Sequence, residues 1–184
     1  MKKVFITNGS AQNGKDSVAE AISKYIPTHK YSSITLVKDM LKSVGIKEEP
    51  KTEEKRLLWS DLKDRLTKYD DIPFKDMASI VTDFKNDLID AKVLLIDIRE
   101  PEEIARAVET FGAKTILVRN PNAKKVTSNH ADRDVENYNY DYIIENDGTL
   151  EQLEKVAKLF VCDVICGEHI PDNDKPFVFT CSKY

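Results

Sequence analysis

Val4-Phe5-Ile6-Thr7-Asn8-Gly9-Ser10-Ala11-Gln12-Asn13-Gly14-Lys15-Asp16-Ser17 lies near the start of the sequence. Val4-Phe5-Ile6 is a short β-rich run, and Gly9 to Lys15 is a glycine loop. Beyond it Val18, Ala21, Ile22, Tyr25 and Ile26 recur at helical spacing until Pro27 stops the pattern. Strand, glycine loop and helix in that order is the setting in which Gly9-x-x-x-x-Gly14-Lys15 can work as a phosphate-binding loop. Backbone N–H groups and the helix N-terminus would cradle phosphate oxygens, with Lys15 reaching the β- and γ-phosphates. Gly9, Gln12, Asn13, Gly14, Lys15, Asp16 and Ser17 are therefore the expected nucleotide-binding residues. Asp16 stands where Ser or Thr ordinarily offers Mg²⁺ a hydroxyl. It either ligates the metal or holds its water, or is simply a carboxylate favoured in a first helical turn; Ser17 is the alternative hydroxyl ligand.

Outward from the loop, strand and helix patterns alternate. Tyr31 to Ile34 reads as a second strand, followed by a helix carrying Leu36, Val37, Met40, Leu41 and Val44 and ending at Gly45. Two further helices carry Leu58, Leu62, Leu66 and Tyr69, then Met77, Ile80, Val81, Phe84 and Leu88. Lys92 to Ile98 has continuous aliphatics, as a strand of a parallel sheet covered on both faces does. Pro101 opens a helix with Ile104, Ala107, Val108 and Phe111, Thr115 to Val118 is a strand, and Tyr142-Ile143-Ile144 is a fifth. Thr149 and Gln152 make a capping box for a last helix through Phe160. The order predicts a single α/β domain over residues 1–184, with a five-stranded parallel sheet, helices on both faces and right-handed crossovers. Only the tail, about 163–184, stands apart; Phe177-Val178-Phe179 is either an edge strand or a segment packed on the domain.

Composition narrows the function classes. The chain has 184 residues and a net charge of −4, which argues against a broad basic face for nucleic-acid polymers. Its longest aliphatic run, Val93-Leu94-Leu95-Ile96, is far short of the roughly 20 residues of a membrane span. No secretory apolar region follows Met1-Lys2-Lys3, so a cytoplasmic location is expected. Three cysteines, Cys162, Cys166 and Cys181, read as thiols rather than disulfides. With His169 they offer four zinc donors, but at a spacing unlike the standard ribbons and fingers.

Asp97 closes the aliphatic strand, where ligands bind in open α/β sheets. There it holds Mg²⁺ directly or through water, or else caps a turn. Arg99, two residues on, shares its side of the strand if the strand continues.

Gly14-Lys15-Asp16-Ser17 resembles the Gly-Lys-Asp-Thr loop of phage-type deoxynucleoside monophosphate kinases and the related loop of animal phosphomevalonate kinases. Lys30-Tyr31 followed by Leu36-Val37-Lys38-Asp39-Met40-Leu41 is similar to that family's segment after the second strand, where a lysine opens the monophosphate-binding region. Leu95 to Glu103 resembles its strand-end Asp-x-Arg with Pro and Glu, and Asn146 to Leu153 its closing turn and helix. Together these cover residues 3 to 160.

The resemblance implies a three-layer P-loop NTPase fold with a helical acceptor-binding insertion (about 35–90) and a lid (about 120–136). It implies transfer of the γ-phosphoryl of ATP, with Mg²⁺, to a small phosphorylated acceptor, most directly a (deoxy)nucleoside monophosphate. A phosphomevalonate-type kinase and a non-catalytic nucleotide sensor remain the alternatives. Lys15, Asp97 and Arg99 are the expected catalytic residues; Asp16, Ser17 and Asp97 are the expected metal residues. Arg99 suits a substrate phosphate, or else pairs with Glu100 or Glu103. Lys38 and Arg56 in the insertion are expected on the acceptor and Arg65 as a solvated charge; Trp59 and Tyr69 are available to stack on a base, and both fit the apolar helix face equally well. In and beside the lid stretch lie Arg119, Lys124, Lys125, His130 and Arg133, with at least one of Arg119 and Arg133 expected on ATP. The expected partners are ATP and the acceptor, and the resemblance leaves a homodimer open.

Overall fold

Parallel strands need crossovers, and here helices supply them. A computed structural model describes residues 2–10, 12–123, 135–167 and 176–181. Its strands are β1 (Lys3–Asn8), β2 (Thr28–Ser32), β3 (Val93–Asp97), β4 (Lys114–Arg119), β5 (Tyr142–Glu145) and β6 (Phe177–Thr180). Every pairing is parallel, in the order β2-β3-β1-β4-β5-β6. The helices are α1 (Lys15–Ser23), α2 (Thr35–Ser43), α3 (Glu53–Asp70), α4 (Ile72–Lys85), α5 (Pro101–Phe111) and α6 (Leu150–Phe160); a π-helical stretch, Val161–Cys166, prolongs α6. None of the described helices is long and apolar enough to cross a membrane.

Strand alternation sorts the core into two layers. Phe5, Leu95, Ile116 and Val118 pack with Val18 and Ile22 of α1 and with Leu153 and Phe160 of α6. Val4, Ile6, Leu94, Ile96 and Leu117 pack on the other face with Met77 and Phe84 of α4 and Ile104 and Phe111 of α5. The chain leaves β1 toward β2 on one side and β4 toward β5 on the other, and in such sheets the crevice beyond the strand ends is the binding place.

Three expectations change. The sheet has six strands rather than five: Phe177–Thr180 pairs with β5, with Phe179 buried against Phe160, ring centroids 5.5 Å apart. The second strand begins earlier, at Thr28, because its register runs along β3 from Thr28↔Val93 to Ser32↔Asp97. Helix α3 does not bury the stripe Leu58, Leu62, Leu66 and Tyr69; only Trp59 and Lys63 are buried, and Tyr69 is 84% exposed. Of the expected lid, residues 124–134 lie outside the described residues.

Phe160 is fully buried and meets Phe5, Tyr142 and Phe179 edge to face, with centroids 5.5–5.7 Å away. Phe160→Ala is expected to cost about 3–5 kcal/mol of stability, read as a shift of the urea midpoint. A loss below about 1 kcal/mol would contradict the packing described.

Candidate active site

The loop after β1 takes backbone conformations that glycine adopts readily. Gly9 has φ 152°, and a Cβ there would lie 2.3 Å from the Val118 carbonyl oxygen. Gly14 has φ 84°, and a Cβ there would lie 2.3 Å from Asn146 Nδ2. Asn13 fastens the loop on both sides, donating from Nδ2 to Val118 O at 3.2 Å while its own carbonyl accepts from Asn146 Nδ2 at 3.2 Å. No side chain caps α1. The amides of a first helical turn have no intrahelical acceptor, and the positive end of the helix dipole lies there, which suits an anion at this end. Lys15 Nζ is drawn back over the loop by the carbonyls of Gly9 and Ser10.

Register places the strand-end aspartate next to this loop. Thr7 of β1 is the partner of Asp97 in the β1–β3 ladder, and its hydroxyl donates to Asp97 Oδ1. Asn8 Nδ2 donates to the Arg99 carbonyl at 3.1 Å and to the Tyr140 hydroxyl at 2.7 Å, which braces the segment carrying Arg99. Across the crevice, Lys30 Nζ pairs with Asp16 and lies 3.3 Å from Asp97 Oδ2.

A cleft of about 620 Å³ joins these groups to α2 and α3. It brings together Gln12, Gly14, Lys15, Asp16, Ser17, Lys38, Arg56, Asp97 and Arg99 of the residues expected from sequence. The two halves of the cleft differ in character. The loop half is backbone amides, Lys15, two carboxylates and hydroxyls. The helical half carries Lys38, Lys51, Arg56 and Lys63 together with Glu48, Glu53 and Glu100, and most of these charges are paired. Lys38 donates to Glu48 at 2.6 Å, and that hydrogen bond holds the Glu48 carboxyl below its usual range. The Lys38 ammonium also sits 5.0 Å from the Trp59 ring centroid. Arg56 makes no side-chain hydrogen bond or ion pair among the described residues, which leaves its guanidinium available to an anion.

Other expected residues fall elsewhere. Gly9 and Asn13 shape the loop without lining the cleft, and Arg119 pairs with Glu145 at the ends of β4 and β5, outside the cleft. Arg133 and His169 lie outside the described residues. Arg65 is exposed on α3, as expected of a solvated charge. Tyr69 does not reach the cleft, and Trp59 does, although Lys38 covers one face of its ring. Cys162 and Cys166 are exposed and Cys181 is buried, all as thiols, and no cluster of three or more His, Cys, Asp or Glu is found among the described residues. Lys51, Lys63, Thr7, Asn8 and Ser33 were not singled out by motif. Their parts come from strand register and helix placement, apart from Thr7 and Asn8, whose position between strand and loop is itself a signal.

The donor set fits a hard cation of the Mg²⁺ type. Asp16 and Asp97 converge on a common point, marked by the Lys30 ammonium, with the Ser17 hydroxyl in the same cleft. Two carboxylates are what Mg²⁺ commonly takes from protein when phosphate oxygens and water complete its shell.

The chain matches no protein-family model, and no curated protein matches it. Structural similarity is found to shikimate kinase from Aquifex aeolicus, at 12% identity and TM-score 0.48, over 89% of this chain and 99% of that one. It extends to TT1252 from Thermus thermophilus, at 16% identity and TM-score 0.43, over 89% of this chain and 98% of that one. A sugar kinase from Janibacter sp. aligns at 10% identity and TM-score 0.38, over 99% of this chain and 87% of that one. Likeness at this level speaks to neither substrate nor reaction.

Lys30 and a divalent cation compete for the same two carboxylates. Lys30→Met is expected to tighten nucleotide-free Mn²⁺ binding by up to about 30-fold, since each of its two ion pairs contributes up to about 1 kcal/mol. Mn²⁺ titration followed by electron paramagnetic resonance measures it; unchanged affinity would separate Lys30 from the metal position.

Proposed function

We propose that this protein is an ATP-dependent phosphotransferase that moves the γ-phosphoryl of ATP to a small phosphorylated acceptor, most directly a (deoxy)nucleoside monophosphate. The observation that carries this reading is the continuity of one cleft from the uncapped N-terminus of α1 to the cations Lys38, Arg56 and Arg99, with Asp97 between the two halves. An anion at each end and a metal-binding carboxylate between them is the layout that in-line phosphoryl transfer requires.

In the reaction proposed, an oxygen of the acceptor phosphate forms a bond to the γ-phosphorus. The bond from that phosphorus to the bridging β-oxygen breaks, and ADP leaves with the electron pair. A phosphate monoester is largely dianionic at neutral pH, so no general base is required. Lys15 and the loop amides hold the β- and γ-phosphates, and Asp97, with Asp16 or Ser17, would hold Mg²⁺. Neutralisation of charge on the phosphate oxygens is the chemistry that such a metal would supply there. Arg99 and Arg56 would orient the acceptor phosphate, and orientation of this kind is where most of the rate comes from when little covalent chemistry is left to the protein.

A second reading keeps the reaction and changes the acceptor to a non-nucleotide phosphate such as phosphomevalonate. It is favoured by the aromatic groups: Tyr69 lies outside the cleft, Trp59 is buried with one face under Lys38, and Tyr31, which also lines the cleft, is buried with its hydroxyl on Asp76. The third, a nucleotide sensor without turnover, predicts ATP binding with no acceptor-dependent ADP release.

An ADP-release assay over deoxynucleotide, ribonucleotide and non-nucleotide monophosphates separates the three. Lys15→Ala is expected to lower kcat by roughly 100-fold or more while leaving the circular dichroism spectrum unchanged. Retention of wild-type kcat would remove the loop from the mechanism. Arg99→Ala is expected to raise the acceptor KM by roughly tenfold, the effect of about 1.4 kcal/mol of lost binding, with little change in the ATP KM. An effect confined to ATP would place Arg99 on the wrong substrate.

A further inference from the structure

Helix α3 is attached to the rest of the protein in an unusual way. An amphipathic helix normally buries an apolar stripe, yet of the 18 residues of α3 only Trp59 and Lys63 are buried. Leu57 and Leu58 are 54% and 41% exposed. Trp59 and Lys63 are four residues apart and so occupy one stripe, one turn from each other.

The Lys63 side chain is 10% exposed. Its three N–H bonds meet three oxygens: Glu103 Oε2 at 2.6 Å, Glu100 Oε2 at 3.3 Å and Ser33 Oγ at 3.3 Å. These acceptors flank the catalytic strand end. Ser33 follows β2, and its backbone N–H donates to the Asp97 carbonyl at 3.0 Å. Glu100 and Glu103 begin α5, directly after Arg99. One ammonium thus ties α3, which carries Arg56, to both chain segments beside Asp97.

Titration behaviour agrees with the geometry. Burial pushes the Glu103 carboxyl up to about 7 against the pull of Lys63. Burial would raise Glu100 as well, but the Lys63 charge and its hydrogen bonds carry it below the usual range. Burial would lower Lys63, and the charges of Glu103 and Glu100 outweigh it, so the ammonium stays protonated. Arg106, one turn along α5, also feels Glu103 but pairs with Asp71.

A buried charge of this kind is costly to desolvate, and an apolar residue would attach a helix at lower cost; what directed hydrogen bonds add is a fixed place. We infer that Lys63 is a positioning residue of the acceptor half of the cleft, seating α3 and thereby Arg56 against the Asp97–Arg99 strand end. The inference rests on the acceptor-site reading above and extends it to a residue that need not touch the acceptor.

The test compares wild type with Lys63→Met and with the charge-balanced double variant Lys63→Met/Glu103→Gln, which removes one cation and one carboxylate together. Acceptor KM, ATP KM and kcat are measured, together with hydrogen exchange of the α3 amides in ligand-free protein. Both variants are expected to raise acceptor KM by roughly 10- to 100-fold, as loss of positioning does, with ATP KM within about twofold of wild type. Exchange across α3 is expected to speed up by roughly tenfold, with the central strands unchanged. Wild-type acceptor KM in the double variant, or an equal rise in both KM values, would overturn the inference. If no acceptor in the panel is turned over, the phosphotransferase reading fails by itself. Hydrogen exchange still decides the seat, because α3 protection at the wild-type level in both variants would overturn it.

Discussion

The ladder between β1 and β3 sets the position of nearly everything in the cleft. Its register pairs Thr7 with Asp97, so the strand that feeds the glycine loop ends beside the strand that delivers the aspartate. Side chains on a strand alternate, and a slip of one residue would turn Asp97 to the opposite face and bring Ile96 or Ile98 in its place. That slip is prevented by the two cores. Leu94 and Ile96 lie in one layer and Val93 and Leu95 in the other, each packed against helices that cannot exchange places. The precision of a polar site therefore rests on apolar packing on both faces of the sheet.

Much of this arrangement was legible in the residues. A β-rich run marked β1, an unbroken aliphatic run marked β3 and helical spacing marked α5, and Thr149 with Gln152 forms the capping box at the start of α6. The glycine loop, Lys15, Asp97 and Arg99 carry local signatures that survive without knowledge of the fold. What could not be read was what depends on partners distant in sequence. The residues left Phe177–Thr180 open between an edge strand and a packed segment, and only its pairing with β5 and its contact with Phe160 decide for the strand. Lys63 sits among Asp61, Lys68 and other charges and reads as one more surface lysine; only the folded chain brings Glu100 and Glu103 to it, 37 and 40 positions away. The apolar pattern of α3 misled for the same reason, since the face that docks is chosen by an ion pair and Trp59 rather than by the leucines.

The net charge of −4 gives little account of a site that holds seven cations and five carboxylates within one cleft. Many of these charges are already arranged in pairs: Lys30 with Asp16 and Asp97, Lys38 with Glu48, and Lys63 with Glu100 and Glu103. An incoming phosphate or metal would exchange one ionic partner for another rather than enter an unbalanced field. Exchange of that kind favours selectivity and reversibility over raw affinity.

The bond from Asn146 to the Asn13 carbonyl spans 133 residues, and the turn that carries Asn146 is itself held where Thr180 donates to Asp147 and the Cys181 side chain packs under Gly148. In order of synthesis the glycine loop precedes the groups that fix its shape by more than a hundred residues. The loop is thus completed only after the strands that follow it have been made. A nascent chain carrying the whole loop sequence lacks the braced loop until β5 and β6 have paired, so under the function proposed above nucleotide affinity would report finished folding.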